Sequence, residues 1–199
     1  MHLIRWPRPL PYAEGLTILE AAAAAVAHGG PEQLILGEHL PVLTVGSSGQ
    51  LEDLGTEHGV PVVATNRGGQ ITYHGPGQLM IYPVVRLDAR WHQDIRRYMR
   101  WLQERVQVAC VSLGVETELR TGPALGLWVG EAKLAAFGVR VRKGVAFHGA
   151  CLNVHNDLEI YRHFTPCGLV GSQATRLIDH LPNLKMPAVE AAVIEALKL

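Results

Sequence analysis

A lysine inside an apolar run and a cysteine between proline and glycine are the residues of this sequence best suited to covalent chemistry. Lys133 stands in Glu131-Ala-Lys-Leu-Ala-Ala-Phe137. An ammonium there either reaches water along its stem or is desolvated, and desolvation favours the neutral amine. Cys167 stands in Thr165-Pro-Cys-Gly168, with Arg162 and His163 shortly before it. Restricted backbone and nearby positive charge suit a presented thiol of lowered pKa better than a core filler. Taken singly, a snorkelling strand lysine and a small buried cysteine would account for both residues. Brought together, they are a nucleophile and the base that activates it. His148, Asn153 and Asp157 lie between them in the chain.

A rival reading uses a metal. Cys151, His155, His163 and Cys167 read C-x3-H…H-x3-C, four acceptable zinc ligands. The spacings are not those of a common finger, and Cys151 to Val154 reads as a strand whose alternate residues face opposite sides. No G-x-S-x-G elbow supports a serine triad. Asn66–Gln78 (NRGGQITYHGPGQ) is rich in glycine, with Gly68, Gly69, Gly75 and Gly77 among Arg67, Tyr73 and His74. Glycines leave backbone N–H groups uncovered for a ligand; two tight turns flanking a strand would use them equally well. The run is neither G-x-G-x-x-G nor a phosphate loop ending in Gly-Lys-Ser/Thr.

Composition bounds the class. At 199 residues, with 48% hydrophobic and 18% charged residues, the sequence reads as one ordinary globular domain over residues 1–199. A formal net charge of zero gives no global sign of a nucleic-acid or membrane partner. The opening MHLIRWPRPLPY has no apolar segment long enough for a signal peptide or a membrane span. Three widely spaced cysteines do not make a disulfide framework, so the expected setting is a reducing cytoplasm.

The elements that position these residues follow from periodicity. Leu16–His28 reads as a helix stopped by Gly29-Gly30 after an extended, proline-broken start. Gln33–Leu36, Pro41–Val45 and Val60–Ala64 read as strands. Leu79–Leu87 is a further strand, with Pro83 suggesting an edge or a bulge. Asp88 is the expected N-cap of a helix carrying Trp91, Ile95, Tyr98, Leu102, Val106 and Ala109 on one stripe. Its Arg96, Arg97, Arg100 and Arg105 fall mostly off that stripe and read as a solvated face rather than a docking site. Cys110 belongs to its inner side. Glu116–Leu119, Leu125–Val129, Ala132–Val141 and Val145–Val154 read as strands, the last two joined through Arg142-Lys143-Gly144, and Pro187–Lys198 closes as a helix. Irregular alternation with hairpin signals predicts an α+β fold.

Arg67-Gly-Gly-Gln-Ile-Thr-Tyr-His74-Gly-Pro-Gly-Gln78, Gly130-Glu-Ala-Lys133-Leu-Ala-Ala-Phe-Gly138, Phe147-His148-Gly149, Leu152-Asn153-Val154 with Asp157-Leu158, and Pro166-Cys167-Gly168 follow one another in this order. As a composite over about residues 30–170, they resemble the octanoyltransferases of the lipoate pathway. The resemblance implies a mixed, largely antiparallel sheet with packed helices, of the type shared with biotin and lipoate protein ligases. It implies an acyltransferase that moves an octanoyl group from acyl carrier protein to a lysine of a lipoyl domain. Acceptors would be 2-oxoacid dehydrogenase complexes and the glycine cleavage H protein. Cys167 would be the acylated nucleophile and Lys133 its activating acid and base, with neither ATP nor a metal as cofactor.

The same resemblance implies a substrate groove lined by Arg67, Gly68, Gly69, Gln70, Ile71, Thr72, Tyr73 and His74. Ala136, Phe137 and Gly138 with Gly149, Ala150 and Cys151 would complete its wall, leaving room for an aliphatic chain. His148, Asn153 and Asp157 would support the site. His74 and His148 could orient Lys133 or the substrate carbonyl, or be satisfied structural histidines. Backbone N–H groups near Gly149 or Gly168 could bind the oxyanion. An ATP-dependent lipoate–protein ligase and a zinc-bound scaffold are the competing readings.

Overall fold

Alternating apolar residues in two long strands, β6 (Gln78–Arg86) and β10 (Val145–Asn153), generate the centre of the fold. In β6, Leu79, Ile81 and Val85 face one core, while Met80, Tyr82 and Val84 face another. A computed structural model describes residues 1–50, 54, 59–162 and 173–198. Around the central pair lie β1 (His2–Arg5), β2 (Gln33–Gly37), β7 (Glu118–Arg120), β8 (Gly126–Val129) and β9 (Ala132–Arg142). The sheet order is β1-β2-β6-β10-β9-β8-β7. A short β11 (Gln173–Ala174) pairs with the start of β9. Neighbours are antiparallel except β1–β2 and β9–β11. A smaller sheet holds β3 (Val42–Val45) between β4 (Val62–Ala64) and β5 (Ile71–His74).

Helices cover both faces of the large sheet. Helix α2 (Ile95–Ser112) buries Tyr98, Leu102, Val106 and Ala109 together with Val189 and Val193 of α4 (Met186–Ala196). Helix α1 (Tyr12–Ala27) buries Leu19, Ala22, Ala23 and Val26 on the opposite face. Each fully buried leucine contributes about 1.5–3 kcal/mol. A short α3 (Leu177–His180) precedes α4. No helix among the described residues is long and apolar enough to cross a membrane.

The expected mixed, largely antiparallel α+β architecture is the one observed, and four local expectations change. Helix α1 starts at Tyr12, directly after Pro11, because proline suits the entry to a helix. Asp88 accepts from the Arg90 N–H only at a short 3-10 turn (89–91); α2 is capped instead by Asp94, which accepts from the Arg96 N–H at 2.7 Å. Ile95, placed on the apolar stripe by its spacing, is exposed. Pro83 lies in the centre of the sheet, neither at an edge nor at a bulge.

The centre tolerates Pro83 because the ladder with β10 is interrupted opposite it. Pairing with β6 runs to Ala146↔Val85 and resumes at Ala150↔Ile81 with no change of register. In the gap, His148 adopts φ 59°, a left-handed conformation that a non-glycine residue holds at a cost of about 1–3 kcal/mol. The missing N–H of proline and the turned histidine therefore occupy one interruption. The β9–β10 hairpin turns through Lys143 (φ 50°) and Gly144 (φ 73°), both positive as a type I′ turn requires.

A side chain at Gly149 would place its Cβ 2.3 Å from the Ile81 carbonyl oxygen, inside the central strand pair. Gly149→Ala should destabilise the fold by about 1–3 kcal/mol. A lowered urea midpoint at unchanged m-value is expected; an unchanged midpoint would show that the pair can part there freely.

Candidate active site

Between the two sheets lies a cavity of about 330 Å³. Arg67 to Thr72 and His74 line it from the small-sheet side. Lys133 and Ala136 to Val139 of β9 line it together with His148 to Cys151 of β10. The glycine-rich run thus proves to be two turns around strand β5 and a cavity wall at once. The fit is close: a Cβ on Gly138 would meet the Gly68 carbonyl oxygen at 2.6 Å. Tyr73, expected in the groove, points the other way. It packs with Leu43, Val45 and Ile71 and meets the Tyr161 ring at 6.0 Å, because alternate residues of a strand face opposite sides.

Arg67 is buried and fixes this wall. Its Nε and Nη2 donate to the Thr44 hydroxyl (3.2 and 2.8 Å), Nη2 also to the Thr44 and Gln70 carbonyls, and Nη1 to the Gly68 carbonyl. The Thr44 hydroxyl has its one proton for His74 Nε2 or the Thr72 carbonyl, both at 3.3 Å. His74 Nδ1 donates to Gln78 Oε1 at 2.9 Å, and Gln78 Nε2 donates to Asn153 Oδ1 at 2.9 Å. Asn153 Nδ2 donates to the Thr175 carbonyl at 3.0 Å. Asn153 therefore supports the site through this chain without lining the cavity. Asp157 is exposed, and its carboxylate accepts from the Glu159 N–H at the 3-10 turn 159–162.

Lys133 is buried where three strands meet. Its backbone lies between β8, as partner of Trp128, and β11, as partner of Ala174, and its carbonyl accepts from the Thr175 N–H. The register of β8 shifts between Leu127 and Trp128, a device that re-aims a side chain. The Trp128 ring receives Lys133 Nζ at 5.6 Å and the Arg120 guanidinium at 4.8 Å, while its own Nε1–H donates to the Ala124 carbonyl. Gly126 leaves room for the lysine stem: a Cβ there would lie 2.4 Å from Lys133 Cε. Room for the stem beside Gly126 and an aromatic face beneath the amino group position Lys133 Nζ.

Cys167 and His163 lie outside the described residues. Of the zinc alternative, Cys151 is buried in the cavity wall and His155 is exposed. Among the described residues, no group of three or more His, Cys, Asp or Glu is placed to hold a metal. Burial raises the Cys151 thiol pKa, and that of Cys110 to about 12, so both rest as thiols.

Comparison with known proteins decides the family. Residues 11–198 match the lipoyl protein ligase A/B catalytic domain. The chain belongs to that family. It is 43% identical over 188 residues to an octanoyltransferase of Syntrophotalea carbinolica, covering 93% of this chain and 87% of the relative. A crystal structure of lipoate-protein ligase A bound with ATP superposes with a TM-score of 0.84 at 20% identity, over 98% of this chain and 83% of the ligase. A biotin protein ligase from Aquifex aeolicus, in complex with biotin and ATP, gives 0.60 at 10% identity, over 98% and 68%. The two superpositions establish the shared fold.

Several residues at or beside this cavity escaped the sequence reading. Tyr12, Tyr82 and Met99 line it from α1, β6 and α2, and the His39 ring lies tilted beside His74 at 5.8 Å. Burial holds His39 neutral, with its pKa lowered to about 4. Burial, then Arg67 and Arg140, lowers His148 to about 3; its Nε2–H donates to Asn66 Oδ1 at 3.2 Å. Burial, then His39 and Arg67, keeps His74 well below its usual value. These histidines are satisfied, neutral wall elements at neutral pH.

The sign of the pH dependence follows. Between about pH 4 and 6.5, the native chain binds fewer protons at these histidines than the unfolded chain. Their stabilising contribution is complete above pH 6.5 and is lost as the pH falls, by up to about 1.4 kcal/mol per pH unit for each histidine. The urea midpoint should drop from pH 6.5 to 5, and His148→Gln should make that slope shallower. A flat profile would mean that these rings are protonated in the native state.

Proposed function

We propose that this chain transfers an octanoyl group from acyl carrier protein to a lysine of a lipoyl domain, through a thioester on Cys167. Octanoyl transfer in lipoate biosynthesis is the reaction of its octanoyltransferase relatives, matched over most of both chains. The observation that carries the mechanistic reading is the 330 Å³ cavity, walled by small and apolar residues and closed at one side by buried Lys133. An aliphatic chain fits such a wall, each buried methylene contributing about 0.8 kcal/mol.

The steps balance without a co-reactant. Lys133 takes the proton of the Cys167 thiol; the thiolate attacks the donor's thioester carbonyl, and the carrier thiol leaves with that proton. The acceptor amine then attacks the new thioester. A carbon–nitrogen bond forms, the Cys167–acyl bond breaks, and the amine proton returns through Lys133 to sulfur. Thioester to amide runs downhill, so the reaction needs neither ATP nor a metal. The acceptors are the lipoyl domains of 2-oxoacid dehydrogenase complexes and the glycine cleavage H protein, and one catalytic domain in the cytoplasm serves both.

The ATP-dependent ligase reading draws on the family description, which covers lipoyl protein ligases, and on a shared fold at 20% identity, whereas the 43% relatives are octanoyltransferases.

Intact mass after mixing with octanoyl-loaded carrier protein, without ATP, tests this reading. An octanoyl adduct labile to hydroxylamine, and absent from Cys167→Ser, is the expected result. Acylation that appears only with ATP and free octanoate would replace the transferase with a ligase. Trp128 gives a second test, because its ring holds Lys133. Trp128→Leu should lower kcat about tenfold, the worth of a cation–π contact of about 1 kcal/mol or more, while Trp128→Phe keeps most of it. Equal losses in both variants, following their urea midpoints, would reduce Trp128 to a packing residue.

A further inference from the structure

A second cavity, of about 630 Å³, opens beside the first, between the N-terminal half of α2 and the segment Leu119–Leu125. The two share the walls Met99, Gly122 and Leu125, so they adjoin one another. Within this mostly apolar groove sits Gln103, only 7% exposed, whose Nε2 has no hydrogen-bond partner among the described residues. A buried amide donor left without an acceptor costs about 1–3 kcal/mol, so native chains rarely keep one without a use. Arg96 and Arg100 border the same groove. They stand near the N-terminal end of an 18-residue helix that has no acidic residue in its first turn and is capped by the Asp94 carboxylate. Arg100 also pairs with Glu104, one turn on, at 2.9 Å.

Apolar walls, one unmatched amide donor, two guanidinium groups beside the single Glu104 carboxylate, and walls shared with the first cavity narrow the occupant. It must be extended and partly apolar, must carry an amide carbonyl, and must end in an anion. We propose that this groove holds the phosphopantetheine arm of the acyl donor. Gln103 donates to an amide carbonyl of the arm, Met99 and Leu125 pack against its apolar middle, and Arg96 and Arg100 take its phosphodiester. The inference rests on the carrier-bound donor assigned above. It adds a second groove to the first: Arg67–Thr72 and His74 face the acyl chain, and α2 faces the arm. The arginines that sequence alone reads as a solvated face acquire a ligand.

Three donors that differ only beyond the thioester test the assignment: octanoyl-carrier protein, octanoyl-phosphopantetheine and octanoyl-N-acetylcysteamine, which lacks the phosphate and the second amide. The quantity read is the preference, in kcat/KM for Cys167 acylation, for octanoyl-phosphopantetheine over the truncated thioester. Gln103→Met, close in volume and without the amide, should cut that preference about tenfold, as should Arg96→Ser with Arg100→Ser. An unchanged preference in both variants would overturn the proposal. So would a loss seen only with the protein-bound donor, which would place the arginines on the carrier's surface instead. If Gln103→Met fails to fold, the exposed arginine variant decides alone. Wild-type protein that forms no thioester from any of the three donors would remove the donor itself, and the groove's occupant with it. Loss confined to the preference ratio leaves the transferase reading intact.

Discussion

Everything around the cavity depends on how one buried guanidinium is solvated by the protein. Arg67 can only donate, and the Thr175 carbonyl at the far end of the chain of contacts can only accept. Between these fixed ends, Thr44, His74, Gln78 and Asn153 must each accept on one side and donate on the other. Amide orientations and the His74 tautomer follow without further choice. The chain of bonds crosses from the small sheet to the large one and ends at the residue whose N–H holds the Lys133 carbonyl. Site geometry is thus set by polar satisfaction as much as by apolar packing.

The apolar framework serves a different purpose, which is to make the interior of β10 available. A strand flanked on both sides normally presents a regular ladder, with side chains alternating up and down. Pro83 withdraws one donor from the neighbouring strand, and β10 uses the gap to turn His148 toward Asn66 and the cavity. The lysine side works by similar means. A register shift in β8 brings Trp128 under Lys133, and Gly126 clears the stem's path. Departures from regular strand geometry occur where side chains border the cavity.

Much of this was legible in the sequence, for identifiable reasons. The long strands were read nearly to their ends because each is a continuous, mostly apolar run and their turn residues are specific, as with Lys143-Gly144. The cavity wall was legible where glycines and small residues cluster, from Gly68 to Thr72 and from Ala136 to Gly138. Contributions that arrive singly from distant elements were not legible. Tyr12, Tyr82, Met99 and Gln103 carry no local pattern that separates a cavity residue from a core residue. Tyr73 was misassigned for the opposite reason: its neighbours on both sides line the cavity, and only the pleat of β5 turns it away. Pro83 misled because its penalty is offset by a partner more than sixty positions away, on a scale local reading does not reach.

The one-way chain from Arg67 to Thr175 also limits how this protein can vary. A member replaced by a residue that only donates, or only accepts, reverses the demand on its neighbour and strands a polar atom further along. Substitutions at Thr44, His74, Gln78 and Asn153 are therefore epistatic: the effect of one depends on which residues hold the others. What a compatible set of substitutions must preserve is the direction of the whole relay, not the identity of any one member.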